Sequence, residues 1–491
     1  MTRDWVRRTN HVLRPDPARV VSRIFLPGQE MPTVGESRST AVLERVLLLS
    51  DSEVDDALAE AEMVFGHRHR ELTTTWDSNA ALVDHRVDKA AHLSPARRRL
   101  VGAYFTQEFA IEGAALFNPS MAEHPDQGGV PDGSVRFVMT VRAVGEGHVS
   151  SIELRTGQID AYAAVTFDPP PKFAVLPEGR MATYDRQAFE RMLSDLGGDH
   201  TNSDFVLALL PATFSRVELE LALTRLRAQR LTRGSAVRTI ERFAWVADCS
   251  YSVEFDPASD LQERVLMPRS PAETHGVEDA RVVRFRHDDG EREYLATYTA
   301  YDGRSVTSQL MRTPDFRRFE SGTLSGPGSR NKGLALFPRR IGGRFLAVSR
   351  ADRESNAITA SVDLHHWDEP LLIQAPTEPW ETVQLGNCGP PIETDDGWLV
   401  LTHGVGAMRR YSIGALLLDL DDPTVVLGRL TEPLLTPNDD ERSGYVPNVV
   451  YSCGAMIHAG AVVLPYGCSD TESRVAVVDL DPLLAELKDG R

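Results

Sequence analysis

One strand recurs along this chain, and that repeat limits its possible folds more than any other feature. Arg136-Phe137-Val138-Met139-Thr140-Val141-Arg142, Tyr294-Leu295-Ala296-Thr297-Tyr298-Thr299, Phe345-Leu346-Ala347-Val348-Ser349-Arg350 and Trp398-Leu399-Val400-Leu401-Thr402-His403 are copies of one apolar strand, with Ala461-Val462-Val463-Leu464-Pro465-Tyr466 a looser fifth. The later copies follow Asp289-Gly290, Gly342-Gly343, Asp396-Gly397 and Ala459-Gly460, turn dipeptides that close tight hairpins. Their spacing, roughly 50 to 65 residues, suits propeller blades of four strands each. A second repeat keeps the same phase: Thr313-Pro314-Asp315-Phe316-Arg317-Arg318-Phe319 and Ser361-Val362-Asp363-Leu364-His365-His366-Trp367 each set an Asp four residues before an aromatic. Together the repeats predict an all-β fold, a five-bladed β-propeller, with a β-sandwich of similar apolar strands as the competing architecture.

Two stretches break the β pattern. From about 40 to 109 apolar residues recur at three and four, as in Leu47-Leu48-Leu49 followed by Val54, Leu58, Ala61 and Phe65, which predicts helices. A second helical stretch covers about 186–230, with Phe189, Met192 and Leu193, then Val217, Leu219, Leu221, Leu223 and Leu226, punctuated by Gly197-Gly198 and Pro211. The expected division is an N-terminal helical extension over 1–110 and a propeller over 111–491, with a helical insertion at about 185–235. These helices are expected to cap a pocket or to form the subunit interface of a homo-oligomer.

A formal net charge of -18 argues against a nonspecific nucleic-acid or anionic-membrane partner, since both require a basic face. The first residues, Met1-Thr2-Arg3-Asp4-Trp5, lack the apolar core of a signal peptide, and no run of about 18 apolar residues occurs; the expected location is cytoplasmic. Cys249, Cys388, Cys453 and Cys468 form no Cys-x-x-Cys pair, so neither a disulfide framework nor a metal site is expected. Lysine is confined to Lys89, Lys172, Lys332 and Lys488, which draws attention to Lys332.

In a propeller, equivalent strand ends converge on a central pocket. Here those ends are Arg142, Thr299, Arg350, His403 and Tyr466, a cationic funnel in an acidic protein and so a place for a small anion. Gly276-Val277-Glu278-Asp279-Ala280-Arg281 brings two carboxylates to the entrance of an apolar strand. Strand neighbours point to opposite faces, so only one of Glu278 and Asp279 is expected to face the axis, with Arg281 on the same face as Asp279 to pair with or orient it. A carboxylic acid there could protonate a glycosidic leaving oxygen, although a structural ion pair fits these residues equally. Phe117-Asn118-Pro119-Ser120 and Pro465-Tyr466-Gly467-Cys468-Ser469-Asp470 read as loops presenting polar groups.

Taken together these motifs resemble family 130 of the glycoside hydrolases, the mannoside phosphorylases and related β-mannosidases, from about Phe117 to Asp470. The marks are Phe117-Asn118-Pro119-Ser120, Val277-Glu278-Asp279-Ala280-Arg281, Leu336-Phe337-Pro338 with Gly343 and Arg350, Gly389-Pro390-Pro391-Ile392 with Gly397-Trp398-Leu399, His403-Gly404, Leu417-Leu418-Asp419-Leu420-Asp421-Asp422-Pro423, and Tyr466-Gly467 with Asp470. The resemblance implies inverting phosphorolysis, in which inorganic phosphate takes a terminal β-mannosyl unit as mannose 1-phosphate, with phosphate as co-substrate and no cofactor. It implies that Asp279 is the catalytic acid, acting through a hydroxyl of the bound mannose. It further implies that Arg350, His403, Tyr411, Lys332 and Asn118 serve phosphate, and that Asp470, with Arg142, Glu278, Arg281, Gln384, Asn387 and Tyr466, serves the mannooligosaccharide. Lys332 stands where an arginine is common and Gln384 where a lysine is common; Asn387, Arg330 or Arg409 would make up the missing charge. The long N-terminal region and Gln384-Leu385-Gly386-Asn387-Cys388-Gly389 resemble members acting on β-1,2-linked oligomannosides. Two other readings stand beside it: a β-mannosidase whose water is activated by Glu278 or Glu393, and a sugar-binding propeller without catalysis.

Overall fold

The computed structural model describes residues 3–28, 38–86, 93–197, 200–229 and 236–489; Gly198 and Lys89 lie outside the described residues. Antiparallel sheets dominate. Ala115–Glu123, Val135–Val144, Ser150–Ile159 and Val165–Phe167 form the first meander. Gly276–Arg286, Arg292–Tyr301, Val306–Thr313 and Arg318–Thr323 form the second. Ala335–Leu336, Phe345–Ser349, Asn356–Ser361 and Leu371–Gln374 form the third. In the fourth, Gln384–Asn387 and Ile392–Thr394 both pair with Gly397–Val405, followed by Tyr411–Leu418 and Val426–Arg429. In the last, Val450–Tyr451 and Met456–His458 pair with Ala461–Cys468, which pairs with Glu472–Asp479, and Val6–Leu13 from the other end of the chain completes the sheet.

The strand repeat is apolar on both faces because both faces are covered. Gly397–Val405 is buried at every position. Trp398 and Val400 share a core with Phe337, Val348 and Ile358 of the meander before, while Leu399 and Leu401 share one with Val462 and Leu464 of the meander after. The odd positions of that last strand, Ala461 and Val463, pack with Leu116, Met139 and Val141 of the first meander. Ile152 and Leu154 meet Val282 and Ala296, and Val283 and Leu295 meet Leu336 and Ala347. Side chains two residues apart share a face, so each meander is clamped between its neighbours and the last core returns to the first.

The repeated dipeptides are turns for a stated reason. Gly342 and Gly343 have φ of 58° and 76°, and Ala459 and Gly460 49° and 71°; two successive positive φ values match the twist of a two-residue hairpin. The Asp repeat is likewise a local hydrogen-bond device. Asp315 Oδ1 accepts from the backbone N–H of Arg317 and Arg318, and Asp363 Oδ1 from those of His365 and His366, an Asx turn that swings Phe319 and Trp367 into their cores.

Three expectations need correction. The aligned copies are the second strands of their meanders; the strands that meet around the centre are the ones before them. Ser120 bridges Gly454 and its hydroxyl accepts from the Val282 N–H, Gly389 abuts the Cys453 carbonyl, Asn387 donates to the Gly333 carbonyl, and Arg286 bridges Arg339. The segment 1–110 is not helical throughout: Arg38–Leu48, Asp51–Phe65, Leu72–Val83 and Pro95–Tyr104 are helices, but Val6–Leu13 belongs to the last sheet and Val20–Ile24 pairs with Thr106–Ala110. The insertion contains Arg186–Asp195, His200–Leu207 and Arg216–Ala228 and continues through Ala236–Asp248, past the expected end, because Phe243, Val246 and Ala247 complete its core.

A charged clasp holds the closing strand. Arg8 Nε and Nη2 lie 2.9 and 3.0 Å from the two oxygens of Glu441, whose Oε1 also accepts from the Tyr466 hydroxyl at 2.7 Å. Burial would raise the Glu441 carboxyl, but Arg8, Tyr466 and the Asn438 N–H hold it below its usual value. A lowered carboxylate stabilises the fold at neutral pH and loses that contribution as acid protonates it. Replacing Arg8 with Ala strands a buried charge and is expected to cost about 3 kcal/mol at pH 7. That cost should shrink toward acid pH, as measured by urea unfolding at several pH values.

Candidate active site

A cavity of about 270 Å³ opens where the first strands converge. Local breaks in strand pairing place its polar residues. The pairing of Gly276–Arg286 slips between Glu278 and Arg281, and that of Ala115–Glu123 between Phe117 and Ser120. In these bulges Asp279 and Asn118 take φ of 55° and 51°, a left-handed backbone that non-glycine residues adopt at a cost. The two side chains meet, Asn118 Nδ2 donating to Asp279 Oδ1 at 2.8 Å.

The bulge also cancels the expected alternation. Glu278 and Asp279 both face Arg142, which lies 2.8 Å from Glu278 Oε1 and 3.7 Å from Asp279 Oδ1, its guanidinium over the Phe117 ring. Arg281 does not bond the Asp279 carboxylate. It runs behind it, donating to the Asp279 backbone carbonyl at 3.1 Å and to the Tyr451 hydroxyl. Burial by itself would raise the Asp279 carboxyl; Arg142, Arg281, Lys332 and the Asn118 hydrogen bond together hold it below the usual range. Asp470, in the turn after Ala461–Cys468 with φ of 51°, goes the other way. Burial and the neighbouring Asp279 push it up to about 6 against Arg142 and Arg409.

The third and fourth meanders supply the other arc. Arg350 Nη1 donates to His403 Nε2 at 3.3 Å, and His403 Nδ1 lies 3.1 Å from the Asn387 carbonyl. A carbonyl only accepts, so Nδ1 carries the proton and Nε2 is the lone-pair nitrogen. Burial, Arg350 and Arg281 accordingly depress the imidazole well below its usual value: His403 is neutral. This contact is possible because residue 386 is Gly, where an added Cβ would sit 2.4 Å from His403 Cε1 and 3.0 Å from Arg350 Cδ. His403 also stacks on Tyr411, with centroids 5.8 Å apart, and Gln384 Nε2 donates to the Tyr411 hydroxyl. Lys332 Nζ stands 3.7 Å from Glu278 Oε2. Arg350 Nε and Asn118 Oδ1 are buried with no hydrogen-bond partner among the described residues.

The cavity thus gathers Asn118, Arg142, Asp279, Lys332, Arg350 and Asp470, together with Gln384, His403 and Tyr411. Other expected residues stand back from it. The Tyr466 phenol is committed to Glu441. Asn387 is spent on the Gly333 carbonyl and the Gly389 N–H, Glu278 lies behind Arg142 and Lys332, and Glu393 pairs with Arg339 outside the lining of this cavity. Of the three residues considered for the missing charge, Arg409 lines the cavity and Arg330 is exposed away from it. Tyr451, Val446 and Val449 also line it without having been foreseen; Val450–Tyr451 is too short to show a strand pattern.

The glycoside hydrolase family 130 model, described as beta-1,4-mannooligosaccharide phosphorylase, matches residues 253–489. Among curated proteins, a 1,2-beta-oligomannan phosphorylase of Thermoanaerobacter sp. is 33% identical over 48% of this chain and 80% of its own length. A beta-1,2-mannobiose phosphorylase of Listeria innocua is 32% identical over 53% of this chain and 74% of its own. The solved structure of a Listeria innocua beta-1,2-mannobiose phosphorylase with beta-1,2-mannobiose aligns with a TM-score of 0.45 at 24% identity, over 78% of this chain and 93% of that one.

The electrostatic account of Asp279 is open to direct measurement. Arg142→Met keeps the stem over Phe117 but removes the charge, and is expected to raise the Asp279 carboxyl in the ligand-free protein. Carboxyl-carbon NMR titration against the wild type checks the direction; an unchanged titration would show that Arg142 does not set it.

Proposed function

The chain belongs to glycoside hydrolase family 130, and on that footing we propose that it cleaves β-1,2-linked mannooligosaccharides by inverting phosphorolysis. The products are mannose 1-phosphate and an oligosaccharide shortened by one unit. One observation carries the reading: a buried carboxyl, Asp279, and a guanidinium, Arg350, face one small cavity from different arcs of the ring. An anionic nucleophile held at Arg350 and an acid at Asp279 are the two parts that displacement with inversion requires.

In this mechanism Arg350, Arg409 and Lys332 attract phosphate, with His403 Nε2 and the Tyr411 hydroxyl completing its hydrogen bonds. Arginine suits a tetrahedral anion because its donors are fixed in a plane. Neutral His403 has its Nδ1 proton fixed on a carbonyl, so Nε2 accepts a hydrogen bond, from a protonated phosphate oxygen or from Arg350. Asp470 and Arg142 hold the mannosyl unit, and Asn118, bonded to Asp279, serves the phosphate side. A phosphate oxygen attacks C1, the C1–O bond breaks on the opposite face, and the Asp279 proton passes to the leaving oxygen, directly or through a mannosyl hydroxyl.

The resting field keeps Asp279 ionised, so it must gain a proton before it can act. Phosphate supplies the condition, since its negative charge offsets the cations that depress Asp279. The acid is therefore armed when the co-substrate is in place. No cofactor enters this scheme. A hydrolytic route needs a free carboxylate to activate water, and Glu278 and Glu393 are both held by cations.

The same reading takes the ring of meanders as a five-bladed β-propeller over 111–491, closed by Val6–Leu13. Supporting it are the shared cores that run from each meander to the next and from the last to the first. The helices before and within the ring are proposed as outer supports or a homo-oligomer interface. A cytoplasmic location is proposed with four buried free thiols in its favour; among the described residues no helix is long and apolar enough to cross a membrane.

Incubating β-1,2-mannobiose with and without phosphate tests the proposal. Mannose 1-phosphate should form only with phosphate, and release of free mannose at the same rate without it would overturn phosphorolysis. Asp279→Asn is expected to lower kcat by roughly 10²-fold or more, whereas Arg350→Ala should raise the KM for phosphate. Sugar hydroxyls donate to an ionised carboxylate, so affinity for the oligosaccharide should rise as pH climbs through about 6, where Asp470 titrates. Asp470→Asn should flatten that profile.

A further inference from the structure

The cavity of about 270 Å³ must hold a mannosyl unit and phosphate together, which leaves the departing sugar at its mouth. Inversion fixes the side. Nucleophile and leaving group occupy opposite faces of the reacting carbon, and the phosphate residues Arg350, His403 and Tyr411 lie on the third and fourth meanders. The leaving sugar therefore exits on the side of the second, first and last, where the Asp279 acid stands.

On that rim stands a stacked aromatic pair. Tyr445 is 74% exposed, and its ring lies 6.1 Å from that of His148 at an interplanar angle of 28°. Both are held by residues tied to the site. His148 occupies the turn that follows the strand bearing Arg142, with φ of 59°. The Tyr445 N–H donates to Thr471 Oγ1 at 3.0 Å and the Val446 N–H to the Ser469 carbonyl at 3.0 Å, which binds the Tyr445 loop to the turn carrying Asp470. Gly444 makes this approach possible, because a Cβ there would lie 2.6 Å from the Ser469 carbonyl oxygen. Next along the loop, Val446 lines the cavity itself.

From this geometry we infer that Tyr445, backed by His148, is the platform for the leaving mannosyl unit. The inference rests on the phosphorolytic reading for the direction of exit. A pyranose has an apolar C–H face and a rim of hydroxyls, and a tyrosine offers both an apolar ring and a polar tip with few torsions to freeze. Stacking on His148 holds that ring in place before sugar arrives. The platform lies outside the reacting centre, so it governs which acceptor is held and leaves phosphate binding alone.

Calorimetric titration in the Asp279→Asn background, which holds sugar without turnover, tests this with mannose, β-1,2-mannobiose and β-1,2-mannotriose. Adding Tyr445→Ala is expected to weaken binding of the di- and trisaccharide by about tenfold and to leave mannose unchanged, while Tyr445→Phe keeps most of the affinity. An unchanged disaccharide affinity overturns the inference. So does an equal loss for mannose, which would mean that the loop only supports Asp470. In the active enzyme, Tyr445→Ala should raise the KM for β-1,2-mannobiose and leave the KM for phosphate as it was; a rise in both would count against the platform. Should the wild type release no mannose 1-phosphate, the phosphorolytic reading falls, and the titration still decides the platform.

Discussion

Each of the five meanders buries apolar side chains on both faces, and that constraint organises the rest. A sheet of this kind cannot leave either face in water, and burial of a large aliphatic side chain is worth roughly 1.5–3 kcal/mol. Trp398 and Val400 look one way while Leu399 and Leu401 look the other, so each meander needs two neighbours and no meander can be last. Closing the ring satisfies all of them, with a strand from the N-terminal end and the Arg8–Glu441–Tyr466 clasp completing the join. The centre of such a ring is where opening strands crowd together, and side chains there face one another instead of a core. Polar groups placed at that point are desolvated and concentrated without weakening the packing between sheets.

What could be read from the sequence follows from the same distinction. The second strands are long, fully buried and regular, so their pattern repeats visibly and their turn dipeptides stand out. The opening strands are either short, as Ala335–Leu336 and Val450–Tyr451, or bulged, as at Phe117-Asn118-Pro119-Ser120 and Gly276-Val277-Glu278-Asp279, and they carry no regular alternation to align. Reading convergence from the wrong strand still found Arg142, Arg350 and His403, because second strands reach the centre at their ends. It erred at Tyr466, whose phenol is bound to Glu441, and it missed Tyr451 on a two-residue strand. Asp279 and Asn118 were legible by resemblance, but their meeting was not, since a bulge of one residue reverses which side chains face inward.

The charge on the site runs against that of the whole molecule. A chain of net charge -18 places Arg142, Arg350, Arg409 and Lys332 around one cavity, so an anion is drawn to a place where the local charge is positive. Arg142 and Lys332, with Arg281 behind, hold Asp279 ionised, while burial beside it pushes Asp470 upward. Two carboxyls of similar intrinsic acidity are thus set apart by their surroundings. In the proposed cycle the arrival of phosphate reverses the balance at Asp279, which couples the acid to its co-substrate.

This arrangement is paid for in backbone strain. Asn118, Asp279 and Asp470 all have positive φ, as do Ser469 and Arg409 beside them, and each such residue costs of order 1–3 kcal/mol. A two-sided core on either side of every sheet can absorb that cost, where a one-sided sheet would relax. A bulge of this kind sets the direction of the Cα–Cβ bond, and contacts with Asn118 and Arg142 then hold the Asp279 carboxylate. Asp279 is thus already aimed at Asn118 and Arg142 in the ligand-free protein. The rigid ring and the reactive centre are therefore one device, since the packing that forces closure also holds the bulged residues in the orientation the chemistry uses.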